Sequence, residues 1–276
     1  TIAGFLLLHL HALSLTLPLA ILFRVRLFIL THDMAHGAFF PSRRANIWAA
    51  NVIMPMASYT PASFWRKTHG YHHMFANVLD RDDTPWTTSR YLAAPKQARL
   101  FYRVLNHPVA MLSGLVPATV YFIIQQFSPT NHLWEIALEM LVLAFHYHRG
   151  SLAFEFASAT GGALIGMLLF NVQHSFHGVH RARGESWDNV TNAIFGSSLL
   201  VLPWWLAWFT AGLEYHHVHH LNPRVPCYRL QECHEAAKDT LFKHVRRVPW
   251  WEMATVLPYS LWDEARGRMV RPNEVV

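Results

Sequence analysis

The chain carries 20 histidines in 276 residues, and most of them fall into four short groups. "THDMAHG" supplies His32 and His36, and "WRKTHGYHH" supplies His69, His72 and His73. "NVQHSFHGVH" supplies His174, His177 and His180, and "EYHHVHH" supplies His216, His217, His219 and His220. Positions i, i+3 and i+4 share one helix face, so His32 and His36 point the same way and the HxxHH group gathers three rings on one side. Imidazole ligates Fe, Zn, Cu and Ni, and several converging rings can hold more than one ion. Such groups recurring in one chain make chance clustering a poor explanation, and the pattern suits an all-histidine site for two metal ions. The last group is ambiguous on geometry, because His216, His219 and His220 span the same arc as His216, His217 and His220. Analogy with HxxHH at 69–73 favours the first set, with His217 turned aside.

Competing chemistries lack their motifs. The zinc-hydrolase pattern HExxH is absent, and Glu-x-x-His, which carboxylate di-iron bundles carry on two helices, occurs once, at Glu214–His217. There is no GxGxxG or P-loop. Cys227 and Cys233 are the only cysteines and do not form CxxC, which argues against a disulfide framework or an iron–sulfur site. The scattered histidines 9, 11, 107, 132, 146 and 148 read as polar tips.

The elements that must position these groups are apolar. The chain is 52% hydrophobic and 14% charged, against about a quarter charged in soluble domains, which points to a membrane protein. A mean hydropathy of only +0.14 leaves a sizeable part outside the bilayer. The net charge of +6 is spread over loops such as "PSRRAN" and "KHVRRVPWW", which fits a cytoplasmic membrane face better than nucleic-acid binding. Apolar stretches cover 1–31, 46–60, 108–127, 133–147, 151–172 and 193–213, and each histidine group sits just beyond one. No internal repeat or linker appears, so residues 1–276 read as a single domain. It opens on Thr with no signal cleavage pattern, which reads as a truncated N-terminus.

One site needs every group on one membrane face, so crossings between groups must be even in number. Residues 133–147 and 151–172 can cross as a hairpin. Residues 46–60, 108–127 and the Trp-rich 193–213 are then expected to be re-entrant or interfacial. Glu135, Glu139 and Glu155 are expected near the interface.

"FRVRLFILTHDMAHGAFFPSRRAN", "WRKTHGYHH" and "EYHHVHHLNPRVPCYRL" resemble the three histidine boxes of the membrane fatty acid desaturases, most closely the acyl-lipid desaturases of bacteria and plastids. "HHMFANVLDRDDTPWTTSRYL" and "LLFNVQH" resemble further segments of that group, so the likeness covers most of 20–235. It implies an all-α integral membrane fold of about four transmembrane helices with re-entrant or interfacial helices. A cytosolic helical cap would hold a di-iron site on the cytoplasmic side of, in this case, a bacterial inner membrane. Two non-haem Fe and O2 would put a cis double bond into a long acyl chain of a lipid. A ferredoxin or cytochrome b5 would supply electrons.

Carried over by position, the ligands fall on His32, His36, His69, His72, His73, His174, His216, His219 and His220. His177, His217 and Asn171 are alternates, and no catalytic side chain is needed beyond the ligands. Metal-bound histidines usually pass their second N–H to an acid or carbonyl, for which Asp33, Asp80, Asp188 and Glu214 are candidates. The first box reads His-Asp-Met-Ala-His where these relatives usually carry His-Asp-Cys-Gly-His. The rival readings are an oxygen-inserting relative, such as a carotenoid ketolase or lipid hydroxylase, and a His-rich metal transporter.

Overall fold

The computed structural model describes residues 13–79, 81 and 85–275, so Asp80 lies outside the described residues. The protein is mostly helical, and among the described residues two helices are long and apolar enough to cross a membrane. The first, α1, spans Leu13–His36, and its C-terminal turn carries the first histidine group. After a glycine at positive φ (Gly37) the chain forms α2 (Arg43–Ser58), started by the Ser42 side chain accepting from Ala45 N–H and stopped at Tyr59, which is left-handed. Helix α3 (Ala62–Phe75) follows directly and carries HxxHH.

The apolar stretch at 108–127 does not make one helix. Pro108, a left-handed Gly114 and Pro117 break it into α6 (Pro108–Leu112), α7 (Leu115–Thr119) and a short π and 3-10 continuation, after α4 (Thr88–Ala93) and α5 (Lys96–Leu105). A helical hairpin comes next, α8 (Leu133–His148) and α9 (Leu152–His174). Only α9 reaches a spanning length, and its last residue is His174. Both long apolar helices therefore run towards the histidines and end there.

They can pack closely because α9 presents Gly161 to α1, where a Cβ would stand 2.5 Å from Ile21 Cδ1. Glu135, Glu139 and Glu155 are 0%, 2% and 2% exposed, so the hairpin acids sit inside the helix packing and do not line its surface. Glu155 pairs with Arg24 of α1, accepts from Tyr59 Oη at 2.6 Å and lies 3.3 Å from His146 Nε2.

The stretch at 193–213 is also broken, at Gly196 and Pro203. It becomes α10 (Asn189–Phe195), a strand at Leu199–Val201 and α11 (Trp204–Thr210). Helix α12 (His216–Leu221) holds the last histidine group, followed by α13 (Leu230–Ala237) and α14 (Glu252–Val256).

Short strands, absent from the all-helical expectation, tie the cap together. Taking β1 as Trp86–Thr87 and β2 as Leu199–Val201, β2 runs parallel to β3 (Arg247–Pro249), with Leu200 opposite Val248. β1 pairs parallel with β4 (Leu261–Asp263), which pairs antiparallel with β5 (Arg268–Val270). The largest core joins the two long apolar helices to these strands: Val25 and Ile29 pack with Val172, Phe176, Leu200, Val248 and Trp262.

Candidate metal centre

Four helices bring their histidines to one place. His32 and His36 come from the end of α1, and His69, His72 and His73 from one face of α3. His174 ends α9, and His216, His219 and His220 come from α12. The last turn before α12 depends on Gly212, whose φ is +95° and where a Cβ would meet Cys227 O at 2.2 Å. Leu200 N–H donates to Glu214 O, which fixes α12 to β2. Asn77, left-handed just after α3, donates from its amide to Asn192 Oδ1 and Gly196 O and anchors the second group to α10.

Two donor sets result. His32, His36, His69, His73 and His219 bring their ligand atoms within 4.8 Å of one another, and His72, His174 and His220 do the same. His216 joins the second set, its Nε2 lying 2.8 Å from that of His174. The sets touch through the stacked rings of His73 and His220, 4.4 Å apart. Nε2 atoms face each other between His32 and His69 (3.0 Å), His69 and His73 (3.0 Å), His73 and His219 (3.0 Å), and His72 and His174 (3.2 Å). Two nitrogens each about 2.1 Å from one ion and a right angle apart are themselves about 3.0 Å apart.

The buried Nε2 atoms of His36 and His220 have no hydrogen-bond partner. Buried polar atoms are normally paired, so orphaned lone pairs directed at other lone pairs fit a bound cation better than a hydrogen-bonded core. Among the described residues no carboxylate or thiolate enters either set. The donors are thus purely imidazole, which suits Fe, Zn, Cu or Ni.

Burial sets the protonation state. It is the main cause holding His69, His216, His219 and His220 well below the usual imidazole range, with neighbouring rings adding to it. His72 is lowered to about 4 by burial and then by the Arg181 charge, and His73 to about 2 by burial and then by His72 and His32. These rings are neutral at pH 7, the form that binds metal. Trp65 stacks on His69 at 3.9 Å, and Phe170 lies 4.9 Å from His72, so aromatic walls close two sides.

The alternates sit differently. His217 is fully buried but points away, its Nε2 2.8 Å from His234 Nδ1, and burial followed by the His234 charge lowers it to about 3. His177 is exposed, with its ring against Tyr259. Asn171 lies one helical turn before His174 on the cavity wall, and its buried Oδ1 is unpartnered.

The candidate acids bind elsewhere. Asp33 Oδ2 accepts from Cys227 N–H at 3.2 Å, because the residue after His32 projects about 100° away from that ring. Glu214 accepts from Thr210 Oγ1 at 2.6 Å, and Asp188 caps α10 by accepting from Thr191 N–H at 2.9 Å. Sequence reasoning missed His234 and Trp65. A lone His and a Trp at helical spacing carry no signal until the packing is known.

A family model described as fatty acid desaturase matches residues 8–258. This chain belongs to the fatty acid desaturase family. Among its relatives is a fatty acid desaturase of Bacillus subtilis (strain 168), 32% identical over 93% of this chain and 77% of the relative. An sn-1 oleoyl-lipid 12-desaturase of Synechocystis is 22% identical over 87% of this chain and 73% of its own length. A chloroplastic sn-2 acyl-lipid omega-3 desaturase (ferredoxin) of Arabidopsis thaliana is 24% identical over 80% of this chain and 55% of its own length. The chain is accordingly an oxidoreductase, a desaturase of fatty acyl chains.

Proposed function

We propose that this desaturase uses two iron ions and O2 to place a cis double bond in a long acyl chain carried by a membrane lipid. The observation that carries this reading is the convergence of nine imidazoles, seven of them with an Nε2 facing another Nε2, and no acid among them. His32, His36, His69, His73 and His219 would hold one ion, and His72, His174, His216 and His220 the other, with Asn171 Oδ1 placed to accept from a water beside the second. Bound iron would supply activation of O2 and removal of two hydrogens from adjacent carbons. The chain's own groups do the rest: the four helices fix the donors, burial keeps them unprotonated, and Trp65 and Phe170 keep bulk water away.

A cavity of about 470 Å3 opens against His32, His69, His72, His174 and His216, within the range of small-molecule sites and lined largely by apolar side chains. It would place the acyl chain alongside the donors. Helices α1 and α9, with α8 as the other arm of the hairpin, support a membrane base; the expected count of about four crossings would need a further one from the apolar sequence before α1. Trp204, Trp205 and Trp208 on α11 are 85%, 50% and 50% exposed, as expected of an interfacial helix and not of a water-facing one. Phe23 of α1 packs edge-on against Trp208 and Phe209, which sets α11 beside the span.

Electrons would come from a partner such as ferredoxin or cytochrome b5. Exposed Arg43, Arg44, Lys67 and Arg224 flank the histidine groups and suit an acidic donor arriving on the cytoplasmic side. The test is expression in a host without polyunsaturated lipids, followed by fatty-acid profiling with double-bond location. New unsaturated chains support the reading. An oxygen atom added to the lipid, with no new double bond, would replace it by the hydroxylase or ketolase alternative.

A further inference from the structure

The cavity that meets the histidines also runs along α1 away from them. Along α1, Arg24, Phe28 and His32 follow one another on its wall at four-residue intervals. Opposite them α9 contributes small residues, Ala159, Gly162 and Ala163, and their size leaves the space open. Of the lining residues on α1, Arg24 lies farthest from the histidines, and it is held in place. Its Nε donates to Ser158 Oγ at 3.0 Å, one terminal nitrogen donates to Ala57 O at 2.7 Å, and the other pairs with Glu155. Glu155 is held in turn by Tyr59 Oη. At Gly162 even a Cβ would stand 3.1 Å from Arg24 Cβ, so the guanidinium stem is wedged against α9.

All three guanidinium nitrogens are engaged and the charge is met by Glu155. This end therefore offers no receptor for a carboxylate, ester or phosphate, and only an alkyl terminus can rest against it. The polar end of a substrate belongs elsewhere on the lining, by Asn106, Tyr259 and Ser260, where Tyr259 packs edge-on against His177.

We infer that the Arg24–Glu155 clamp is the fixed floor of the acyl cavity and sets the longest alkyl segment accepted beyond the reacting carbons. This rests on the desaturase reading given above. Arg24 lies eight residues before His32, about 12 Å along the helix, or roughly nine extended methylenes. One methylene too many in a closed apolar pocket costs roughly tenfold or more in turnover.

The experiment supplies the full-length enzyme with two series of acyl chains, saturated and monounsaturated, each one carbon longer than the last, and measures conversion. Wild type should show a length beyond which conversion falls by about tenfold per added carbon. Ala163→Leu should move that limit to shorter chains by about two carbons, the reach of the added side chain. Arg24→Met combined with Glu155→Gln, which removes both charges together, should move it to longer chains. A limit that stays put in an active Ala163→Leu enzyme overturns the inference. So does an Ala163→Leu enzyme with wild-type iron content that converts no chain, because short chains should still fit. No product from wild type at any length would instead sink the desaturase reading itself.

Discussion

Two of the buried polar clusters among the described residues are built on opposite logic. Around Glu155, every strong group meets its complement: a guanidinium, a phenol and an imidazole surround one carboxylate. Around His73, like groups face like groups, with Nε2 atoms at hydrogen-bond distance from other Nε2 atoms and two more left without partners. A buried polar network is stable on its own only when each member is satisfied. The first cluster is complete within the chain, while the second leaves nitrogens unpaired, as the proposed ions require. The same contrast separates neighbours in one helix, since His217 is paired with His234 while His216, His219 and His220 turn to the cluster.

Substitutions can break this contrast. Replacing a cluster member such as His72 or His219 by Ala should have the largest effect, lowering metal affinity by at least about 100-fold and abolishing turnover, as read by metal analysis and product assay. The folded, metal-free protein should tolerate this change, because it removes one of several crowded imidazoles and strands no charge.

Glu155→Ala should do the reverse. It strands Arg24 as an unpaired buried charge, at a cost of about 3–5 kcal/mol measured as a lower unfolding midpoint, while the surviving folded fraction keeps its metal. Gly212→Ala should cost about 1–3 kcal/mol through the positive φ alone, and more through the contact with Cys227 O. His217→Ala should have the smallest effect, about 1–3 kcal/mol from the unpaired His234 ring, with metal content unchanged. If His217→Ala loses metal and His219→Ala does not, the assignment within α12 is reversed.

Much of this architecture is legible in the sequence because it rests on local periodicity. HxxxH at 32–36 and HxxHH at 69–73 announce their shared faces, and Pro108, Gly114, Pro117, Gly196 and Pro203 announce where apolar stretches cannot run on as single helices. The choice of His219 over His217 needed an analogy between groups, since a helical arc admits both. The acids were not legible. Asp33 and Glu214 look adjacent to ligands in sequence, yet side-chain direction sends one to Cys227 N–H and the other to Thr210. Nor was the Arg24–Glu155 pair, because it is created by the approach of α1 to α9 at Gly161 and Gly162, a tertiary event with no local signature.

The most direct test of the central claim is the metal content of the purified, active enzyme, measured beside His219→Ala and His217→Ala. Two iron ions per chain in wild type and in His217→Ala, with iron and turnover lost together in His219→Ala, is the predicted result. Full turnover in a preparation free of iron, or iron retained by His219→Ala at the wild-type level, would contradict it.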